Sequence, residues 1–547
     1  MKRYRLIMLP LLFIFLAGFF QQDSDIYFKI NKSLDVFGKI YKEITLNYVD
    51  EIDPEEFMLA GVKGMLAYLD PYTIYLDEDQ QNDVNLITKG KYGGIGATIG
   101  LRNDKVTIID LYEGYSAQRQ GVRIGDVILK VDSIKLNRKN YEQLSAFMKG
   151  KPGTDVSITV EREGEQEELV FNLIREEIKV KNLTYYGFVP ENSGNAYLKL
   201  SGFSRTAGEE IKKAILDLKS EGEVKSIILD LRGNPGGLLD AAIDVSEKFL
   251  KKDQLIVSVI GRDTLDIKRY TSDEKPVADD VLLAVLVDNA SASASEIVAG
   301  AIQDHDRGII VGTQSFGKGL VQTIIPLSYN TSLKITTAKY FTPSGRSIQK
   351  IDYFNKDVFT EKILNEREEF KTDNERRVFA AGGIEPDTVV SESYESEQIK
   401  YLTAQGMFFK FASFYFNTNE VVDIESISNL ELFDVFAKYI DSQDFKYKSK
   451  PERLVNDLKT LAEAKNYDEK ILTEINNLSD EIKKIKADEL LTNKSAIAQE
   501  IKKELAARLQ GQDGRIEESL KYDEHFELAL DILQNNNSYK IVLNSGE

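Results

Sequence analysis

The chain has 547 residues, more than one hydrophobic core holds, and a domain size of about 100 to 200 residues divides it into several units. Its formal net charge of -19, from 89 acidic against 70 basic residues, repels nucleic acid and anionic lipid headgroups, so the expected partners are neutral or basic polypeptides and not nucleic acid. With no cysteine and only two histidines, His305 and His525, thiol hydrolases and zinc hydrolases of the His-Glu-x-x-His type are excluded, and neither metal nor cofactor is expected.

Residues 1–22 carry Lys2, Arg3 and Arg5 ahead of 15 uncharged, largely apolar residues, Leu6 to Phe20, in the proportions of an export signal. The run is short for a bilayer span, which takes about 20 residues. No Ala-x-Ala site follows, so the segment reads as a signal peptide or as an uncleaved N-terminal anchor that attaches the protein to a membrane. The expected location is exported: periplasmic, or anchored facing the extracytoplasmic side.

Residues 24–82 place Val36, Ile40, Ile44, Met58, Val62 and Met65 at helical spacing, as a packing or dimerising arm would. Residues 85–176 change to short strands punctuated by glycine, KYGGIGATIG, KVTIIDL, GDVILKV and DVSITVE, with one helix near Tyr141 to Met148. In this β-rich module, consecutive N–H groups of Gly94, Ile95, Gly96 and Ala97 can form a nest for a chain-terminal carboxylate, with an incoming peptide added as a strand beside Ala97 to Gly100. The same letters also spell an ordinary glycine-rich hairpin. Residues 177–393 alternate continuous apolar strands with helices, which predicts an α/β sheet with parallel crossovers, covered on both faces. Residues 394–547 are charge-rich and helical in pattern. There Ile471, Ile475, Leu478, Ile482 and Ile485 form a seam of about two heptads, enough for a hairpin or bundle that supports assembly into a homo-oligomer.

Two short runs carry the chemistry. SASASE, residues 291–296, puts Ser293 where the buried strand Val281 to Val287 hands over to a helix, so its hydroxyl would lie at a helix N-terminus whose free N–H groups stabilise a developing oxyanion. Ser293-Ala294-Ser295-Glu296 also spells a capping box, in which Ser293 would only tie down the first turn. His305 cannot serve Ser293 as base. Twelve residues on in one helix, it stands roughly 18 Å along the axis and about 120° around it. A serine nucleophile here needs another base, and a Ser-Lys pair is the recognised alternative.

Lys318 lies in GTQSFGKG, one letter short of a phosphate loop. Gly319 replaces the hydroxyl that would hold magnesium, and the strand-like LVQTIIPL follows in place of a helix, which argues against nucleotide binding. As a base Lys318 must be neutral, whereas from its reference pKa only about 0.04% is so at pH 7. Burial near Phe316, Leu320 and Val321 would supply the missing depression. The turn RGNPGG, Arg232 to Gly237, either joins strand to helix and nothing more or contributes an oxyanion donor, the N–H of Gly236 or Gly237, alongside that of Ala294.

Together with YVDEID, GMLAYLDPYTIYL, the YGGIG loop, AQRQGVRIGD, LDLRGNPGGLL, VGTQSFGKGLVQ, YFTPSGRSIQ and GIEPD, these runs resemble the carboxyl-terminal processing, or tail-specific, proteases over most of residues 26–391. The resemblance implies a multidomain α/β protein: a protease core of crotonase-like type at 177–393, a PDZ domain inserted at 85–176, and flanking helical regions. It implies Ser293 as nucleophile, Lys318 as general base, Gln322 as the group that positions the lysine, and Asp304 as a supporting residue. DPYTIY stands where the family has a histidine-containing DPHSxY, and no catalytic role falls on that position. The expected function is an exported serine endopeptidase that recognises polypeptides with accessible C-termini through its PDZ domain and processes or degrades them. The alternative is a catalytically silent PDZ scaffold that binds protein tails.

Overall fold

The computed structural model describes residues 5–77, 90–102, 105–136, 144–162, 165, 167–353, 357–358, 368–390, 396–419, 422–443, 447 and 449–544. Met1–Tyr75 and Ile324–Ile335 form one compact unit; the remainder forms a second.

In the first unit, helix Arg5–Asn47 ends before a polar turn at which Asp53 restarts the chain. Its carboxylate accepts the N–H groups of Glu55 and Glu56 at 2.8 and 2.9 Å, and Pro54 occupies the first helical position of Pro54–Leu66. The Tyr41 ring stacks on Phe57 at 5.6 Å and its hydroxyl donates to Pro54 O at 2.6 Å. Ile26, Phe28, Leu34, Phe37 and Met65 remain exposed. Among the described residues, no helix is long and apolar enough to cross a membrane.

The β-rich module is an antiparallel sheet in the order Ala97–Arg102, Lys105–Leu111, Val127–Val131, Asp155–Glu161, Leu169–Ile174. Period-two alternation builds it: Val156, Ile158 and Val160 are buried, and the residues between them face outward. Asp126, buried, accepts two hydrogen bonds from Arg162 at 2.7 Å each and so closes one end of the core. The predicted helix spans Leu144–Met148; residues 141–143 lie outside the described ones.

The α/β region contains a six-stranded sheet, here β1 (Leu183–Phe188), β2 (Asn195–Leu200), β3 (Ser226–Asp230), β4 (Leu282–Val287), β5 (Ile309–Gly312) and β6 (Thr388–Val389), ordered 1-2-3-4-5-6. β1 pairs antiparallel with β2, and every later pairing is parallel, as the continuous apolar runs predict. Helices α1 (Ala207–Glu221), α2 (Leu239–Glu247) and α3 (Ala294–Asp304) make the crossovers and bury one face of the sheet. A second sheet pairs Leu255–Gly261 with Ile267–Thr271 and with Ala338–Phe341.

The other face of the main sheet is covered by the end of the chain, a role the sequence reading did not assign to it. Helices α4 (Lys494–Leu520, broken at Gly511), α5 (Glu524–Gln534) and α6 (Asn536–Asn544) lay Ile516, Leu520, Phe526, Ala529, Ile532 and Leu533 on Tyr197, Ile228, Leu286 and Val311. Upstream, Phe411 and Phe436 centre a separate aromatic cluster with ring centroids 5.1 Å apart. The heptad seam lies in a helical hairpin of Lys450–Ala464 and Glu469–Thr492, as its length predicts. Only Ile475 of its five residues is buried, in a hairpin against Val455 and Ala462, while Ile471, Leu478 and Ile485 are exposed.

Candidate active site

β4 delivers the chain into a turn that Asp288 organises: its Oδ1 accepts the N–H groups of Ala290 and Ser291 at 3.0 Å each. The three alternate serines then divide. Ser291 Oγ donates to Leu231 O and Ser295 Oγ to Asn234 O, both at 2.9 Å, and both residues are fully buried. These two pin the nucleophile turn to the RGNPGG turn, which leaves Ser293 between them, partly exposed. Ser293 sits at the N-cap of α3 with φ 55° and ψ -109°, a backbone conformation that a residue with a side chain holds only where its surroundings impose it.

Glu296 imposes it. The fully buried carboxylate accepts Ser293 N–H at 2.8 Å, as the capping-box pattern requires, and the same oxygen accepts Lys318 N–H at 2.9 Å. The other oxygen accepts Gly317 N–H at 2.7 Å and Ser315 O–H at 2.5 Å. One carboxylate therefore joins the serine turn to the lysine loop, with the main-chain nitrogens of Ser293 and Lys318 within about 6 Å of each other. Burial pushes the Glu296 carboxyl up, and its four donors oppose that rise. Tyr340, buried, makes a second tie: its hydroxyl donates to Lys318 O at 2.6 Å and lies 3.2 Å from Ser293 O.

The lysine loop bends at Gly317, φ 86°, where a Cβ would lie 2.7 Å from that of Lys350. Its near-match to a phosphate loop now has a structural answer. The N–H groups of Gly317, Lys318 and Gly319 are taken by Glu296 and by Gln349 Oε1, so none is free to cradle a phosphate. Lys318 is half-buried beside buried Leu320, but Phe316, expected to help dry the pocket, is 45% exposed and does not. A cavity of about 410 Å³ borders the loop, lined in part by Asn289, Thr313, Gln314, Phe316 and Lys350.

The expected supporting residues are distributed unevenly. Gln322 donates to Leu320 O at 3.4 Å and to Thr336 Oγ1 at 3.3 Å. Asp304, eleven residues down α3 and thus about 16 Å from Ser293 along the axis, supports the site only from a distance. Its carboxylate accepts Ser344 N–H at 2.9 Å and Arg346 at 2.8 Å, fixing the turn that follows Tyr340. The RGNPGG turn does face the nucleophile: a Cβ on Gly236 would lie 2.6 Å from Ala292 O, 2.9 Å from Ala294 N and 3.0 Å from Ser293 Cβ. The expectation that Gly236 N–H serves as oxyanion donor is corrected for this conformation, because that N–H donates to Asn234 Oδ1 at 2.9 Å. In the β-rich module, Ile95 O accepts Ala117 N–H and Gly96 O accepts Tyr112 N–H, both at 3.0 Å, and Ala97 opens a strand that stands at the edge of its sheet. Gly94 has no room for a side chain, since a Cβ would lie 2.6 Å from the Tyr92 ring. Glu296 as a joint between two loops, Tyr340 and Asn234 were all missed in the sequence. Only Glu296 carried a signal there, as the last letter of the capping box.

Fold and site together define a serine-type peptidase built on a mixed α/β core with a PDZ module. The family profile described as Peptidase family S41 matches residues 194–358, a PDZ domain matches 93–173, and "Probable PDZ-protease, C-terminal helical domain" matches 398–533. The chain is 39% identical over 339 residues to a carboxy-terminal-processing protease of Bartonella bacilliformis, covering 61% of this chain and 77% of that one. It is 31% identical to the carboxy-terminal processing protease CtpB of Bacillus subtilis, covering 58% of this chain and 66% of that one. Among solved structures, a photosystem II D1 C-terminal processing protease aligns over 65% of this chain and 92% of its own, at 24% identity and a TM-score of 0.35. The chain belongs to the carboxy-terminal-processing proteases of peptidase family S41.

Proposed function

We propose that the protein is an exported endopeptidase that takes hold of polypeptide C-termini and cuts peptide bonds with a Ser293–Lys318 dyad, on a core of crotonase-like type. The observation that carries this reading is the Glu296 carboxylate, which draws the partly exposed Ser293 and Lys318 to a single oxygen. Neutral Lys318 Nζ takes the Ser293 proton as Oγ attacks the amide carbonyl; the protonated amine then passes that proton to the leaving nitrogen, and water completes turnover by the same route. The oxyanion forms against Ala294 N–H and the α3 N-terminus. Gly236 joins it only when its N–H leaves Asn234. The edge strand Ala97–Arg102 receives the substrate tail as an added strand, its carboxylate at the Gly94–Ala97 loop. Export is inferred from the basic and apolar run at 1–20, and the exposed apolar helices of the N-terminal unit supply a surface for self-association.

Cleavage of a peptide with an apolar C-terminus by wild type, Ser293→Ala and Lys318→Ala tests the mechanism. Both variants are expected to lose turnover by a factor of about 1,000 or more while still binding the tail. Equal turnover in all three would remove the dyad. Tail binding without cleavage by wild type would favour the silent scaffold.

A further inference from the structure

The RGNPGG turn is gripped from outside by the last helices of the chain. Arg232 directs its fork at two carboxylates from distant parts of the sequence. Nε and Nη2 donate to Asp230 at 3.0 and 2.7 Å, while Nη1 and Nη2 donate to Asp523 at 2.9 and 2.6 Å. Asp230 is fully buried at the end of β3, where it also accepts Tyr197 O–H at 2.6 Å and pairs with Lys199 at 3.1 Å. Asp523 caps α5, accepting the N–H groups of His525 and Phe526 at 3.0 and 3.1 Å. Beyond Arg232 the grip continues: Gly233 N–H donates to Asp288 at 3.0 Å, and Asp288 organises the turn that presents Ser293.

We propose that Asp523 is a positioning residue for peptide cleavage, acting through Arg232 on the turn that faces Ser293, so that the C-terminal helices are part of the catalytic core. This rests on the dyad reading above. Two carboxylates balance Arg232 and Lys199; without Asp523 a largely buried guanidinium keeps one counter-charge where it had two, and it pivots about Asp230, which still holds Nε and Nη2. The peptide between Arg232 and Gly233 moves with it. That displaces both the Asp288 contact and Gly236, on which a Cβ would lie 3.0 Å from that of Ser293.

Asp523→Ser and Asp523→Asn keep a competent helix cap but remove the charge and the paired oxygens. Both are expected to lower kcat for peptide cleavage about ten- to hundredfold, with KM within about twofold of wild type, and to slow labelling of Ser293 by a fluorophosphonate in parallel. Asp523→Glu should recover part of the loss. Asp468→Ser, which alters the cap of a helix outside the core, should leave kcat unchanged. Unchanged kcat in both Asp523 variants, or an equal loss in Asp468→Ser, would overturn the inference. A wild-type protein that neither cleaves nor labels at Ser293 would instead overturn the dyad reading beneath it.

Discussion

Glu296 serves three ends with one carboxylate. It satisfies the first turn of α3, holds Ser293 in its unusual backbone conformation and fixes the loop carrying Lys318. Each oxygen faces two donors, so Glu296→Gln, although of equal size, must point its NH₂ at a main-chain N–H whichever way it turns. The expected cost is about 1–3 kcal/mol of stability, with a fall in kcat of at least about tenfold, measurable by thermal denaturation and peptide cleavage. Gly236→Ala should be at least as damaging to turnover. Its φ of 96° already disfavours a side chain, and the new methyl would press on Ala292 O and Ser293. At this scale the sequence was legible for the strand-to-helix turn that carries Ser293, because the change from a continuous apolar run to a helical pattern is written locally. It was not legible for Tyr340: no spacing rule encodes a contact 47 residues away from Ser293, and a single tyrosine in a strand reads as ordinary core.

The elements were legible where a period governs them. Continuous apolar strands predicted a sheet buried on both faces, and the structure has one. Which helices cover the second face was not legible, since an amphipathic pattern states that a face is buried and not against what. Phe526 shows the consequence. It packs edge-on against Tyr197 at 5.5 Å, and Tyr197 in turn donates to Asp230. Phe526→Ala is expected to cost about 3–5 kcal/mol in chemical denaturation. Removal of residues 494–544 would bare Ile228, Leu286 and Val311, giving a chain that binds hydrophobic dyes and aggregates; a soluble, cooperatively folding product would contradict the described packing. The heptad seam was legible as a hairpin but not in which of its residues are buried, because two heptads make a stripe that one hairpin neighbour covers only in part.

Across the whole molecule, the network that joins core and C-terminal region holds one group that resists acid and one that responds to it. Asp230 is held far below the ordinary carboxylate range: burial would raise it, but Arg232 and Lys199 outweigh that, so its pair survives mild acid. His525, next to the same arginine, behaves oppositely. Burial and the Arg232 charge lower its pKa, so between its folded value and about 6.5 the unfolded chain binds the extra proton and stability falls as pH drops through that window. The melting temperature of wild type should therefore decline more between pH 7.5 and 5.5 than that of His525→Gln; parallel slopes would contradict this assignment.

The central claim is that Ser293 is an activated nucleophile and Lys318 is what activates it. The most direct measurement is the site and rate of covalent modification by a fluorophosphonate, read by mass spectrometry in wild type and in Lys318→Ala. The account predicts a single adduct on the peptide containing Ser293, formed at least about 100-fold more slowly without the lysine. An adduct elsewhere, or one on Ser293 that forms equally fast in Lys318→Ala, would contradict it.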